Sequence, residues 1–289
     1  MSSFFSALSN PAFPFLQNAL IASLLASILF GILGSVVTVK RIAGLAGAIS
    51  HAVLGGIGMA LFLSSTGIVP FITPMTGAIL FAILSALIIG LVSLKAKQRE
   101  DTVINAIWAI GMSLGVLFLA KTPGYRDPTS YLFGNILLVS REDLILLAIL
   151  DAVVLILVWR FYPQLEASAF DEEFARVRGV PTNTVFFIIL GITAIAVVLL
   201  QTFVGIVMVI AMLTLPAGTA GYLAKNLAGM MIASWIFSSI FSFLGLALSW
   251  HYDLPSGAVV VVLSGAVFLA VSALRMVIVG YQKKKGLAS

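Results

Sequence analysis

The chain has 289 residues, of which 61% are hydrophobic and only 9% charged, with a net charge of +5 and no cysteine. A water-soluble globule carries about a quarter charged residues, so that class is excluded; disulfides, thiolate metal ligands and cysteine nucleophiles are excluded with it. The basic residues sit at the ends of apolar runs rather than in one patch, which argues against a nucleic-acid partner.

Residues 1–14 lack a basic stretch and a small-residue cleavage site, so the first apolar run is expected to be retained rather than removed as a signal peptide. Runs close to the ~20 residues that carry a helix across about 30 Å of hydrocarbon then recur along the whole chain. They lie at 15–39, 44–63, 74–94, 102–120, 142–159, 184–200, 204–223, 227–249 and 256–279. The expectation is an all-α polytopic transmembrane bundle of about nine spans, forming one domain over residues 1–289. An apolar stub at 131–139 is too short to cross and is expected as a short helix in the outer mouth. Placing Lys283, Lys284 and Lys285 in the cytoplasm puts the N-terminus outside. Thirteen lysines and arginines then fall on cytoplasmic segments, against Lys121, Arg126 and Arg141 outside, the asymmetry expected of membrane topology.

The second span carries Gly44, Gly47, His51, Gly55 and Gly58 at spacings of 3, 4, 4 and 3, all on one helix face. Glycines there allow a second backbone to approach closely, because lipid offers no hydrophobic drive between helices. His51 on this face either lines a cation path or fixes helix packing by a hydrogen bond. Asp151 lies in mid-span, where a carboxylate must face the bundle or water. Pro216, between Thr214 and Gly218, marks a hinge or a kink in the seventh span. The outer loops hold Asp127, Glu142, Asp143, His251 and Asp253. Carboxylates with imidazole suit a divalent transition metal such as manganese, iron or zinc; the same acids also suit helix caps and turns.

The cytoplasmic stretch of about 166–182 has its own pattern. Asp171 can cap a helix with Glu172 and Glu173 in its first turn and Arg176 and Arg178 in its last, matching the helix dipole at both ends. Gly179 and Pro181 end it. Phe170, Phe174 and Val177 form one apolar stripe, shaped to fit a cleft in a soluble partner. The alternative is a helix lying on lipid, which its acidic first turn opposes, since inner leaflets are anionic.

Taken together, these segments resemble the membrane subunit of the metal-ion family of ATP-binding-cassette (ABC) importers, the permeases for zinc, manganese or iron. The resemblance runs through Ser50-His51-Ala52, Asp127 to Leu137, Val139 to Leu144, Phe170 to Ala175 with Gly179-Val180, and Leu254 to Ala258. It implies a permease without permanent cofactors that forms a dimer, with a second copy or a similar permease, around a path for a divalent metal. It also implies two cytoplasmic ABC ATPase subunits that bind the ATP, an extracytoplasmic metal-binding protein, and residence in a bacterial or archaeal cytoplasmic membrane. On the resemblance, Phe170, Asp171, Glu172, Glu173, Phe174, Ala175, Arg176 and Gly179 belong to the coupling helix that docks on the ATPase. Asp127 matches an acidic position near the outer gate, His251 lies where a second gate ligand would come from, and His51 matches the family's histidine in span two. The chain departs at Ala48, where many relatives carry an acid. No Gly-rich loop ending in Gly-Lys-Ser/Thr is present, so the chain is expected not to be an enzyme in its own right. The rival readings are a permease for an iron chelate or cobalamin, and a secondary carrier, which would need more intramembrane acids than Asp151 and the internal repeats seen in many such folds.

Overall fold

The computed structural model describes residues 2–8, 10, 12–95, 100–124, 131–132, 134 and 136–284. The described residues contain helices and no strand. They form α1 (Ser2–Leu8), α2 (Pro14–Val39), α3 (Ala43–Ser65), α4 (Pro74–Lys95), α5 (Glu100–Lys121), α6 (Arg141–Phe170), α7 (Glu172–Val177), α8 (Thr182–Val204), α9 (Ile206–Gly221), α10 (Leu227–Tyr252) and α11 (Ser256–Lys284). A 3-10 turn, Ile136–Leu138, precedes α6.

Eight of these helices are long and apolar enough to cross a membrane. The remaining expected span, the seventh at 204–223, is α9, only 16 residues long and therefore about 24 Å. It still runs from one end of the bundle to the other. Its start at Gly205 abuts Gly134, in the segment whose Val139 carbonyl accepts a hydrogen bond from Asn18 near the start of α2. Its last residue, Gly221, faces Met230 near the start of α10. A single residue joins α8 to α9: Gly205, at φ 80 and ψ 163, a conformation open essentially to glycine alone.

Two further differences from the expected spans have clear causes. The fifth was expected to end at 159, yet α6 runs to Phe170 and takes in part of the polar stretch. It bends at Phe161, with φ −116 and ψ 17, two residues before Pro163; proline lacks the amide hydrogen that would continue the helical ladder there. Ahead of the first span, α1 folds back so that Phe4, fully buried, meets Phe243 of α10 edge-on with ring centroids 5.9 Å apart.

The bundle is centred on α3, whose apolar window is 83% buried, against 17% for α5, α6 and α11. The glycine face expected on this helix lies on α5. Gly44 is near Ile104, His51 on Trp108, Gly55 on Gly111 and Gly58 on Gly115, so the two helices run parallel. Added β-carbons on Gly55 and Gly58 would come within 2.8 and 2.6 Å of the Gly111 and Gly115 carbonyl oxygens. Gly56 meets Gly77 of α4 in the same way. On the outside, Leu80, Leu84, Leu87 and Leu91 form an exposed stripe along α4. Such a surface suits hydrocarbon, where backbone groups are satisfied inside each helix and apolar side chains meet lipid.

The bundle has two ends. One carries the α2–α3 elbow, the end of α6, α7 and the α9–α10 turn, where the Ala228 amide donates to Tyr162 Oη at 3.0 Å. The other carries the segment around Gly134 and Val139, and the pairing of Phe13 and Phe15 with Trp250.

Candidate functional site

The His51 face comes first. His51 is 8% exposed, and its ring stacks on the Trp108 indole with centroids 4.6 Å apart and planes 14° from parallel. Its Nδ1 is buried and has no hydrogen-bond partner, so of the two sequence readings the packing bond is not made by that atom. Trp108 itself is 43% exposed. It lines a groove of 640 Å³ along α5 with Asn105, Met112, Ser113 and Val116. His51 thus sits one ring behind a lined surface, with a free nitrogen lone pair or proton beside it.

Among the described residues, the other metal candidate of the sequence, His251, does not join it in a metal-holding group. Asp127 lies outside the described residues. His251 is exposed in the last turn of α10, its ring edge-on to Tyr252 at 4.8 Å. Among the described residues no group of three histidine, aspartate or glutamate side chains is arranged to hold a metal ion. Asp151 is 3% exposed, and neither carboxylate oxygen has a partner. Two of the acids expected in outer loops, Asp143 and Asp253, are committed to helix ends. The Asp143 carboxylate accepts from the Ser140 amide at 3.0 Å and hydroxyl at 2.7 Å, while Ser140 Oγ accepts from the Asp143 amide. That is a reciprocal capping box for α6. Asp253 closes α10 in a left-handed conformation, φ 53, its amide donating to Ser249. Beside the first cap lies a cleft of 650 Å³ lined by Thr73, Tyr131, Gly134, Asp143, Gln201 and Thr202 among others. Gln201 is 4% exposed, with both amide atoms unpaired.

At the opposite end, α7 has the Asp171 cap and the charge order expected from sequence, but it is shorter than expected: Phe170 is the last residue of α6, the extended Asp171 (φ −146, ψ 97) separates it from α7, and Arg178 is the C-cap rather than part of the last turn. The Asp171 carboxylate accepts from the Phe174 amide at 2.8 Å, and Arg176 pairs with Glu172 at 3.2 Å. The helix stops in a Schellman arrangement: Val180 donates to Ala175, Gly179 donates to Arg176, and Gly179 takes φ 81, which glycine adopts without a β-carbon penalty. Ala175 is fully buried, so one side of α7 is anchored. Phe170, Phe174 and Val177 are 61%, 54% and 87% exposed, and the Arg178 guanidinium lies over the Phe174 ring, 5.1 Å from its centroid.

The comparisons with known proteins bear on the same helices. Residues 12–275 match the model of the ABC 3 transport family. The chain belongs to the ABC 3 transport family. Within this family it is 38% identical over 256 residues to a Chlamydia trachomatis protein described as a probable metal transport system membrane protein, covering 88% of this chain and 87% of the relative. It is 34% identical over 257 residues to a manganese transport system membrane protein, MntC, of Listeria monocytogenes, with 89% of each covered. A solved structure of PsaBC from Streptococcus pneumoniae, in complex with Fab, includes a chain that superposes with a TM-score of 0.81. Identity there is 30%, covering 93% of this chain and 94% of that one.

In this ABC 3 chain the matched stretch begins before α2 and reaches deep into α11, so every crossing helix belongs to the shared fold. Sequence reasoning passed over two residues of the sites. Trp108 was legible as the one aromatic on the Asn105–Met112 face of α5. Lys40 is among the thirteen cytoplasmic basic residues of the sequence reading; its side chain is 5% exposed and donates to Ser168, and nothing in its sequence neighbours signals that.

Proposed function

We propose that the chain is the permease subunit of an ABC importer for a divalent transition-metal ion, manganese or zinc ahead of iron. The observation that carries this reading is α7: a capped helix anchored on one side, with Phe174 and Val177 exposed on it and Phe170 exposed just before its cap, at the end of α6. A surface of that kind accepts force from a separate protein, and the chain has no nucleotide-binding loop of its own. The relatives named for metal and manganese transport support the cargo.

In this reading the α7 end faces the cytoplasm, as the distribution of lysine and arginine supports, and the protein resides in a bacterial cytoplasmic membrane. Two copies pair so that the α5 grooves, with Asn105, Trp108 and Ser113, face a shared path. An extracytoplasmic binding protein delivers the ion to a mouth carrying Asp127 and His251 from each copy. Pairing doubles the ligands, which offsets the sparse set in one chain. A histidine and carboxylates suit manganese and zinc, and few ligands keep the ion loosely held, so that it leaves again. His51 lies deeper, behind Trp108, and would serve as a single transient ligand once that ring moves. Two ATPase subunits dock on α7 and drive the alternation.

The deciding experiment is reconstitution. Purified permease, ATPase and binding protein in liposomes should take up Mn2+ only when ATP is supplied on the ATPase side, and vanadate should stop it. Uptake by the permease alone would overturn the reading in favour of a secondary carrier.

A further inference from the structure

Lys40 directly follows α2, at the bundle end that carries α7. A lysine at such a position ordinarily extends its ammonium to water. This one turns inward: its side chain is 5% exposed, and Nζ donates to the Ser168 carbonyl at 2.9 Å and to Ser168 Oγ at 3.0 Å. Glu172, the first residue of α7, places Oε2 4.0 Å away and also takes Arg176. Ser168 is itself buried, three residues before the Asp171 cap. Burial pushes the Lys40 ammonium below the ordinary lysine range, with the Glu172 carboxylate opposing.

As a device for stability this arrangement is poor. Desolvating an ammonium is costly, and packed apolar side chains often do as well or better. What it supplies is a directional tie between elements 128 residues apart. One is the α6–α7 segment. The other is the elbow that launches α3, held tight by Arg41 at φ 59 and by Arg41 and Ile42 amides donating to Thr38 and Val37. His51 follows eight residues after Ala43, about 12 Å along the helix axis.

Resting on the permease reading above, we propose that Lys40 is the strut of energy coupling: a positioning residue through which movement of α7 on its ATPase reaches the α2–α3 elbow and the His51 face. The tie is made of hydrogen bonds from one ammonium to Ser168, braced by Glu172. Removing the ammonium while keeping the chain length leaves α7 free to move without α3.

The test uses the assembled transporter, with its ATPase and binding protein, in liposomes with Mn2+ as probe, and reads ATP hydrolysed per ion taken up. Lys40→Met should still co-purify with the ATPase and hydrolyse ATP at close to the wild-type rate. Its uptake should fall about tenfold, the scale expected when a residue carrying coupling between sites is lost. Lys40→Arg should restore most of the uptake, because donors and charge return. Ser168→Ala and Glu172→Gln should each raise the ratio by a smaller factor. An unchanged ATP-to-ion ratio in Lys40→Met overturns the proposal. If Lys40→Met fails to assemble, a raised ratio in Ser168→Ala or Glu172→Gln still supports it, and wild-type ratios in both overturn it by making Lys40 a residue of folding only. Uptake by wild-type permease without ATPase refutes the permease reading instead, and is scored in a separate arm.

Discussion

The imidazole of His51 and the indole of Trp108 lie face to face, 4.6 Å between centroids, with the histidine buried and the tryptophan open to the α5 groove. The tryptophan therefore acts as a cover. Trp108→Ala should increase carbethoxylation of His51 several-fold at neutral pH, read by peptide mass spectrometry. His251, already exposed, serves as the internal reference. Loss of the stack is expected to cost about 1 kcal/mol beyond the area the indole buries, and with Trp108 already 43% exposed the bundle should stay folded. Equal labelling of His51 in both proteins would show that Trp108 is not what shields it.

The α3–α5 seam separates glycines that pack from one that does not. Gly58 has the Gly115 carbonyl where a β-carbon would go, whereas Gly47 has nothing within 4 Å. Gly58→Val should push the helices apart, and overpacking of this kind costs about 1–3 kcal/mol or more. Gly47→Ala should be neutral or slightly stabilising, by up to ~1 kcal/mol, since alanine is the better helix former. Thermal unfolding in detergent compares them: a lower midpoint for Gly58→Val and an unchanged or raised one for Gly47→Ala. The reverse order would contradict the seam.

How much of this was open to reading from the chain depends on the kind of pattern. The spans follow from run length, since hydrocarbon thickness fixes how many apolar residues a helix needs, and α7 follows from Asp171, Arg176 and Gly179, whose roles are local. The glycine face was visible as a period, but its partner was not: Gly111 and Gly115 belong to another helix, and no local rule links the two. Lys40 was hidden for the same reason, because its partner Ser168 is 128 residues away. The length of α6 was misjudged because Arg160 and Gln164 look like loop residues. They lie instead in a helix that is bent at Phe161 and continues to Phe170.

The exposed stripe on α7 makes a prediction about assembly rather than folding. Val177 is 87% exposed, so Val177→Asp touches little of the bundle. If the stripe seats in an ATPase cleft, a charge there should weaken the complex by about 2 kcal/mol or more, the size of a central interface residue. Size-exclusion chromatography should show a folded permease with the ATPase largely lost. Phe174→Ala should act in the same direction. Full retention of the ATPase by both variants would remove α7 as the docking surface.

The outer mouth can be tested apart from the coupling machinery. In the proposed function, Asp127 and His251 from two copies meet the incoming ion, and neither is part of α7. Asp127→Ala should abolish Mn2+ uptake while the complex still assembles and hydrolyses ATP. His251→Ala should reduce uptake less, because it removes one borderline nitrogen and leaves the harder carboxylate oxygens that manganese favours. With Zn2+ as cargo the histidine should matter more, since imidazole suits zinc well. Measuring both variants with both metals therefore separates a ligand role from a structural one. A structural defect lowers uptake of the two ions equally, whereas a ligand role makes the His251→Ala loss larger for zinc. Wild-type uptake of both metals by Asp127→Ala would take that residue out of the mouth altogether.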